Sequence, residues 1–256
     1  MIADNRRAQI VNLVRKENNI SCAALSDALN VTPETIRRDL TYLDEKGLLI
    51  RTHGGAVAIQ EELRSTELRL LENIEQKRLI AETASSLLTD NDVIYLDAGT
   101  TTQLICDYIS SEKELYVITN SKKCIDKLVD KSKVTLISTG GILRRKTMAF
   151  TGSYAEQTIK SYTLNKAFIS AMAVSTKFGI MDSHQDEANL NRIAIGNAKE
   201  IYLLADSSKF NKIAYINVAS LENITAIITD DNLDGEIEKE LHDKNIDVLI
   251  AKDEEQ

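Results

Sequence analysis

Thr32-Pro33-Glu34-Thr35-Ile36-Arg37-Arg38-Asp39-Leu40 is the stretch from which the rest of the chain can be read. Thr32 fits a helix N-cap, because its hydroxyl can accept from a first-turn amide. Pro33, the only proline in 256 residues, falls where a missing amide proton costs nothing. Ile36, Leu40 and Leu43 form one apolar stripe at i, i+4, i+7. The opposite face carries Glu34, Arg37, Arg38, Thr41 and Glu45, with Thr35 and Tyr42 on its flanks. A capped helix with two adjacent arginines near its start suits a DNA major groove.

The flanks agree. Arg6 to Asn18 has a helical pattern with Ile10, Leu13 and Val14 on one side, and Asn18-Asn19 breaks it. Ser21 is a second N-cap, for a short helix from Cys22 to Leu29 with the stripe Leu25, Ala28, Leu29. Asn30-Val31 then turns into the Thr32 cap, which gives a helix-turn-helix over about residues 20–39. Lys46-Gly47 stops the third helix. Two short strand-like runs around Gly54-Gly55 predict a hairpin, a wing that brings Arg51 and His53 to phosphates or the minor groove.

Composition sets the bounds. Apolar content of 43% and charge of 27% are those of a globular protein. No apolar run approaches the roughly 18 residues needed to span a bilayer. Asp4, Asn5, Arg6 and Arg7 interrupt any signal-peptide core, so a cytoplasmic location without membrane contact is expected. Cys22, Cys106 and Cys124 show no ligand spacing, and the first and second are expected to be buried free thiols. His53, His184 and His242 show none either, so no metal or other cofactor is expected. Net charge is −8, but residues 1–57 hold eight Lys/Arg against seven Asp/Glu, which leaves −9 for the remainder. Arg6, Arg7, Arg37, Arg38 and Arg51 are therefore local, and affinity for DNA would come from a few placed contacts and from dimerisation.

Residues 1–58 are read as the DNA-binding domain, 59–75 as a partly helical linker, and 76–256 as a second domain that opens with a helix over Gln76–Leu88. Beyond it, short apolar runs alternate with helical patterns. The strands are Val93–Leu96, Leu115–Ile118, Val134–Ile137, Lys166–Ile169, Ile201–Leu204, Ala226–Ile228 and Val248–Ile250. The helices are Thr102–Ile109, Ser121–Asp130, Tyr154–Ser161, Glu187–Asn197 and Gly235–Lys244. That rhythm argues an α/β domain with a mainly parallel sheet. Asp97-Ala98-Gly99-Thr100-Thr101-Thr102 follows the first strand and opens a helix, as a phosphate cradle does. Thr119-Asn120-Ser121, Ser138-Thr139-Gly140-Gly141 and Asp206-Ser207-Ser208-Lys209 end other strands, with Arg144-Arg145-Lys146 close behind, and the cations could neutralise a phosphate.

The run from Thr32 to Val57, "TPETIRRDLTYLDEKGLLIRTHGGAV", resembles the winged helix-turn-helix of the DeoR/GlpR family of bacterial transcription regulators. "LDAGTTT", "TNS", "STGG", "LLADSSKF" and "ITDD" resemble that family's sensor domain, in the family's order, so the likeness runs from about Arg6 to Asp231. It implies operator reading with Thr35, Arg37 and Arg38 near the DNA; the caps, polar face and wing add Ser21, Thr32, Glu34, Thr41, Arg51 and His53 to the candidate DNA-binding residues. It further implies a ribose-5-phosphate-isomerase-like α/β sensor domain and a phosphorylated sugar or related metabolite as effector. By that similarity Thr100–Thr102 and Lys209 hold the phosphate, with Asp97 and Gly99 in the same turn. Asn120, Gly141 and Glu187 lie near the sugar.

One run departs from the family pattern. Phe168-Ile169-Ser170-Ala171-Met172-Ala173-Val174-Ser175 has Ser170, Ala173 and Ser175 where the family usually has Gly, Gly and Asp. An isomerase would want a carboxylate for proton transfer, which Ser175 cannot supply. The expected function is thus a non-enzymatic repressor of a sugar operon. It would work as a homo-oligomer, dimer or tetramer, on double-stranded operator DNA. A sugar-phosphate enzyme with an accessory DNA-binding head, and a regulator whose second domain only oligomerises, are the alternatives.

Overall fold

A computed structural model describes residues 3–17, 19–46, 48–57 and 66–252. The chain divides into two units, residues 1–74 and 75–256.

In the first unit, α1 (Ala3–Glu17) leads through β1 (Asn19–Ser21) into α2 (Cys22–Leu29) and α3 (Pro33–Glu45). β2 (Ile50–Arg51), β3 (Gly55–Val57) and α4 (Thr66–Leu71) follow. Both expected caps are made: Ser21 Oγ accepts from the Ala24 amide at 3.1 Å, and Thr32 Oγ1 from Thr35 at 3.3 Å. Asn30 ends α2 with a left-handed φ of 50°, a conformation that asparagine tolerates. Ile10, Val11, Val14, Leu25, Leu29, Ile36, Leu40, Leu43, Leu48 and Leu49 form the core.

Three sequence readings change here. Ala28 is exposed, and Ser26 takes the buried place in the α2 stripe. Its hydroxyl donates to Val31 O at 2.5 Å, which fastens the turn. The break at Asn19 is a third strand of the wing, since β1 pairs antiparallel with β3 in the order β1-β3-β2. Gly55 permits that pairing: a Cβ there would lie 2.1 Å from Ile20 O. Of the expected linker, Thr66–Leu71 is helical within the first unit, whereas residues 58–65, like Gly47, lie outside the described residues.

α5 (Ile74–Ser86) begins at the last residue of the first unit and runs on into the second, two residues ahead of the expected start. There follow β4 (Asp92–Leu96), α6 (Thr102–Tyr108), β5 (Leu115–Thr119), α7 (Lys122–Leu128) and β6 (Val134–Ser138). A hairpin, β7 (Ile142–Arg144) and β8 (Ala149–Thr151), leads to α8 (Ser153–Lys160) and β9 (Leu164–Ser170). Next are β10 (Ala173–Ser175), β11 (Gly179–Asp182), α9 (Gln185–Asn197) and β12 (Ala198–Leu204). β13 (Ile216–Ala219), β14 (Ala226–Asp230), α10 (Gly235–Asp243) and β15 (Asp247–Ala251) complete it.

All seven expected strands join one parallel sheet in the order β15-β14-β12-β9-β4-β5-β6. Its middle strands are apolar without alternation, as strands covered on both faces must be: Ile94, Tyr95 and Leu96 of β4 and Ala167, Phe168 and Ile169 of β9 are all fully buried. Phe168 stacks on Tyr202 of β12 with centroids 5.3 Å apart. The sheet grows in one direction from β4 to β6 and in the other from β9 to β15. The β4/β9 boundary is therefore a topological switch point, where open α/β sheets bind ligands at the carboxyl ends of strands. No helix among the described residues is long and apolar enough to cross a membrane.

Candidate operator-reading surface and effector site

In the first unit, α3 presents Pro33, Glu34, Arg37 and Arg38 to solvent, with Thr35 half-buried. Glu34 holds both arginines loosely, Arg37 Nη1 at 3.3 Å and Arg38 Nε at 3.8 Å. Exposed pairs of this kind contribute little to stability, so both guanidiniums are only weakly held at the surface. Thr32 and Thr35 share a hydroxyl contact of 2.9 Å. Thr41 is less free, because its hydroxyl donates to Arg37 O at 2.9 Å and accepts from Arg51 Nη1 at 3.0 Å. The Arg51 amide also donates to Asp44 Oδ1 at 2.9 Å. Arg51 thus ties wing to helix. His53 is exposed at the wing tip. Ser21, Arg37, Arg51 and His53 line one recess of about 310 Å³ beside Gly54 and Gly55.

Arg6 and Arg7 are placed differently from the sequence reading. Both turn to the buried carboxylate of Asp39 on α3: Arg6 Nε lies 2.6 Å from Oδ2 and Arg7 Nε 3.1 Å from Oδ1. The bond to Asp39 raises the pKa of Arg6, against burial that lowers it.

In the second unit, the Asp97–Thr102 turn leaves β4 at the switch point. Asp97 is buried there, and its carboxylate collects donors from three elements. Oδ1 accepts from the Gly99 amide at 2.8 Å and from the Thr102 hydroxyl. Oδ2 accepts from the Ser170 amide at 2.8 Å, the Ser170 hydroxyl at 3.0 Å and Asn191 Nδ2 at 3.4 Å. Burial raises the Asp97 pKa, while the bonds from Thr102, Ser170 and Gly99 oppose the rise. Asp97 is a brace for the turn, with its lone pairs spent inside the protein.

The turn it braces keeps backbone donors unspent. Among the described residues, the backbone amides of Thr100, Thr101 and Thr102 find no acceptor, and no side chain caps α6. Successive free amides of this kind form an anion-binding concavity. Gly99 keeps the turn close to β9, since a Cβ would meet Ser170 Oγ at 1.9 Å.

The other expected residues sit at the same carboxyl edge of the sheet. Asn120, after β5, accepts from the Tyr95 hydroxyl at 3.1 Å through Oδ1, and its Nδ2 has no acceptor among the described residues. Gly141, after β6, opens the β7–β8 hairpin with φ of 103°. Lys209 lies in the turn after β12, half-buried, and its ammonium has no partner among the described residues. Glu187 of α9 accepts through Oε1 from Arg144 at 2.6 Å and Thr147 at 2.7 Å. Asp182 joins this acidic neighbourhood; its pKa is raised to about 6, first by burial and then by the charge of Glu187.

Ser170, Asn191 and Thr147 were not among the site residues expected from sequence. Asn191 lies one helical turn after Glu187, so the i, i+4 spacing was a usable signal. Ser170 stood out only as a departure from the family pattern. Cys106 and Cys124 are buried free thiols and Cys22 is half-buried. No cluster of potential metal ligands occurs among the described residues.

Comparison with known proteins finds two domain families along the chain. Residues 6–62 match the DeoR-like helix-turn-helix domain and residues 72–231 the DeoR C terminal sensor domain. The HTH-type transcriptional regulator YulB of Bacillus subtilis is 38% identical over 98% of both chains. GlpR of Haloferax volcanii is 32% identical over 97% of this chain and 98% of its own. The transcriptional repressor GlcR of B. subtilis is 31% identical over 100% of this chain and 99% of its own. Among solved structures, ribose 5-phosphate isomerase A of Methanocaldococcus jannaschii is similar over 54% of this chain and 55% of that one, at 20% identity and a TM-score of 0.40, a likeness of backbone course alone. With both domain matches in place and relatives aligned from end to end, the chain belongs to the DeoR family of helix-turn-helix transcriptional regulators.

Proposed function

We propose that the protein is a cytoplasmic transcriptional repressor of a sugar or carbohydrate operon. Its hold on operator DNA is set by a phosphorylated sugar or related metabolite at the carboxyl edge of the sensor sheet. The observation that carries the effector reading is the row of three acceptor-free amides at Thr100–Thr102, braced by Asp97 at the switch point. Gly99 lets the turn seat against Ser170 of β9, and Lys209 supplies the cation for a phosphate. Asn120 Nδ2 and the second oxygen of Glu187 are left to meet sugar hydroxyls.

On the DNA side, Arg37 and Arg38 read from α3 with Thr35, while Ser21, Thr32, Arg51 and His53 line up against phosphates. Glu34 and Thr41 order the arginines between them. One such head reads few base pairs, so a homo-oligomer, dimer or tetramer, on a two-fold operator is expected. Repression accords with the B. subtilis relative named a transcriptional repressor. The effector must bind the DNA-competent and incompetent arrangements unequally, with a coupling of about 1–3 kcal/mol. The site does not favour catalysis: Asp97 is saturated with donors, Glu187 is paired with Arg144, and Asp182 spends one oxygen on the Ser183 and His184 amides.

Fluorescence anisotropy tests this with the full-length chain. The probe is duplex DNA from upstream of its own gene, with and without a panel of sugar phosphates. Tight binding relieved by one phosphate is the expected result. Tight binding that no phosphate alters would overturn the effector reading and leave an oligomerisation module. Absence of specific binding to any duplex would overturn the repressor reading.

A further inference from the structure

Asp39 is a buried carboxylate on α3, the helix proposed above to read DNA. It follows Arg38 directly, yet only 2% of it is exposed, between buried Ile36 and Leu40. A buried carboxylate needs counter-charge and donors, and α1 provides both. Arg6 reaches it through Nε at 2.6 Å and Nη2 at 3.4 Å, and Arg7 through Nε at 3.1 Å. The Arg7 guanidinium also lies 3.7 Å from the ring centroid of Tyr42, one turn beyond Asp39 on the same helix. Two consecutive residues of α1 therefore grip two residues of α3 spaced i, i+3. A grip at two points along a rigid helix fixes its rotation about its own axis, and hence where Arg37 and Arg38 project.

We infer that Asp39, held by Arg6 and Arg7 against Tyr42, is a positioning residue that sets the rotation of α3 for base reading, and that the two arginines are its clamp and not phosphate contacts. The inference rests on the proposal that α3 reads DNA. Lysine distinguishes the two roles. It serves a phosphate as a point charge almost as well as arginine, but it lacks the planar fork that Nε-directed pairing uses.

The test uses the full-length protein and the tightest duplex it selects from a random library, with a scrambled duplex of equal length as reference. Affinity for each is measured over a salt series for the wild type and for R6K, R6Q, R7Q and D39N, with thermal melts to confirm folding. Expected are a fall of about tenfold or more in the selected-to-scrambled ratio for R6K and R6Q alike, and salt slopes within error of the wild type for R6Q and R7Q. D39N should lose the ratio while binding scrambled DNA at least as well as the wild type, because it unties two cations. If R6Q lowers the salt slope by about 0.9, the signature of one lost phosphate contact, and R6K restores it, the clamp is wrong. Should D39N fail to fold, R6K against R6Q still decides. If the wild type selects no sequence at all, it is the DNA-reading proposal that fails.

Discussion

Ser170 closes on Asp97 with two donors, its backbone amide at 2.8 Å and its hydroxyl at 3.0 Å from the same carboxylate oxygen. The contact joins the last residue of β9 to the turn after β4, across the switch point of the sheet. It also takes the space beside Gly99, where a Cβ would stand 1.9 Å from Ser170 Oγ and 2.9 Å from Asp97 Oδ1. No φ between +20° and +160° is involved at Gly99, so space and not backbone strain forbids a side chain there. Gly99→Ala alone should therefore destabilise the sensor by roughly 1–3 kcal/mol through overpacking. Ser170→Gly removes the obstructing atoms, so in that background Gly99→Ala should cost about 1 kcal/mol less. A double-mutant cycle by chemical denaturation measures this coupling. Additive effects would mean that Gly99 serves something other than room for Ser170.

At the opposite, amino-terminal edge of the sheet, Lys166 of β9 meets Asp92 of β4 at 2.5 Å, both buried. Burial pushes the Asp92 pKa up, but the bonds from Lys166 and from Thr89 outweigh it, and the net shift is downward. A depressed carboxylate contributes stability above its ordinary value of 3.8 and loses it as pH falls through the folded value. Lys166→Met leaves the charge buried without its cation and should cost about 3 kcal/mol at pH 7. The deficit should shrink below about pH 4, where the carboxyl takes up a proton, and Asp92→Asn added to Lys166→Met should recover much of it. Melting curves from pH 3 to 8 would decide; a deficit constant with pH would point to lost packing.

Asp182 has the opposite sign. Its pKa is raised to about 6, by burial first and by Glu187 second. A carboxyl raised on folding stabilises below its unfolded value, and that contribution is lost as pH rises through the folded value. Ionised Asp182 thus opposes the fold near neutrality. Its Oδ1 accepts from the amides of Ser183 and His184, bonds that an asparagine oxygen keeps. Asp182→Asn should stabilise the sensor by roughly 2 kcal/mol at pH 8, with the gain gone by about pH 4. A gain independent of pH would assign the effect to something other than this charge.

Arg38 is 82% exposed, and among the described residues it is restrained by Glu34 alone, at 3.8 Å. Arg38→Ala should leave the melting temperature within about 1 °C, since exposed ion pairs contribute little. Specific operator binding should be lost and the salt slope should fall by about 0.9. Unchanged affinity for the selected duplex would remove Arg38 from the reading surface.

How much of this the sequence announces depends on how local the cause is. The seven sheet strands are legible because each is an apolar run backed by its own buried positions, and the caps at Ser21 and Thr32 because a cap is a three-residue event. β1 is not legible. Asn19-Ile20-Ser21 becomes a strand only by pairing with Gly55–Val57, 36 residues away at Ile20↔Ala56. The β7–β8 and β10–β11 pairs are equally short. The Asp97 turn reads as a cradle from its threonines and glycine, but its carboxylate reads as a ligand contact because its partners Ser170 and Asn191 lie 73 and 94 residues on. Arg6 and Arg7 look like phosphate contacts for the same reason, their acid being more than 30 residues distant.

A variant of Lys209 can separate sensing from reading. Its ammonium has no partner among the described residues, while its backbone amide closes the short turn after β12 by donating to Asp206 O at 2.9 Å. Lys209→Ala therefore removes a cation without breaking a contact, and the unliganded melting temperature should not move. A phosphorylated sugar at about 100 times its Kd should stabilise the wild-type sensor by roughly 2.7 kcal/mol, and the variant should show almost none of this at the same concentration. Operator affinity without effector should be that of the wild type, but release by the metabolite should disappear. Thermal shift and anisotropy on one preparation measure both. A variant that still responds to the metabolite would place the phosphate elsewhere along the carboxyl edge, with Arg145 as the next cation to replace.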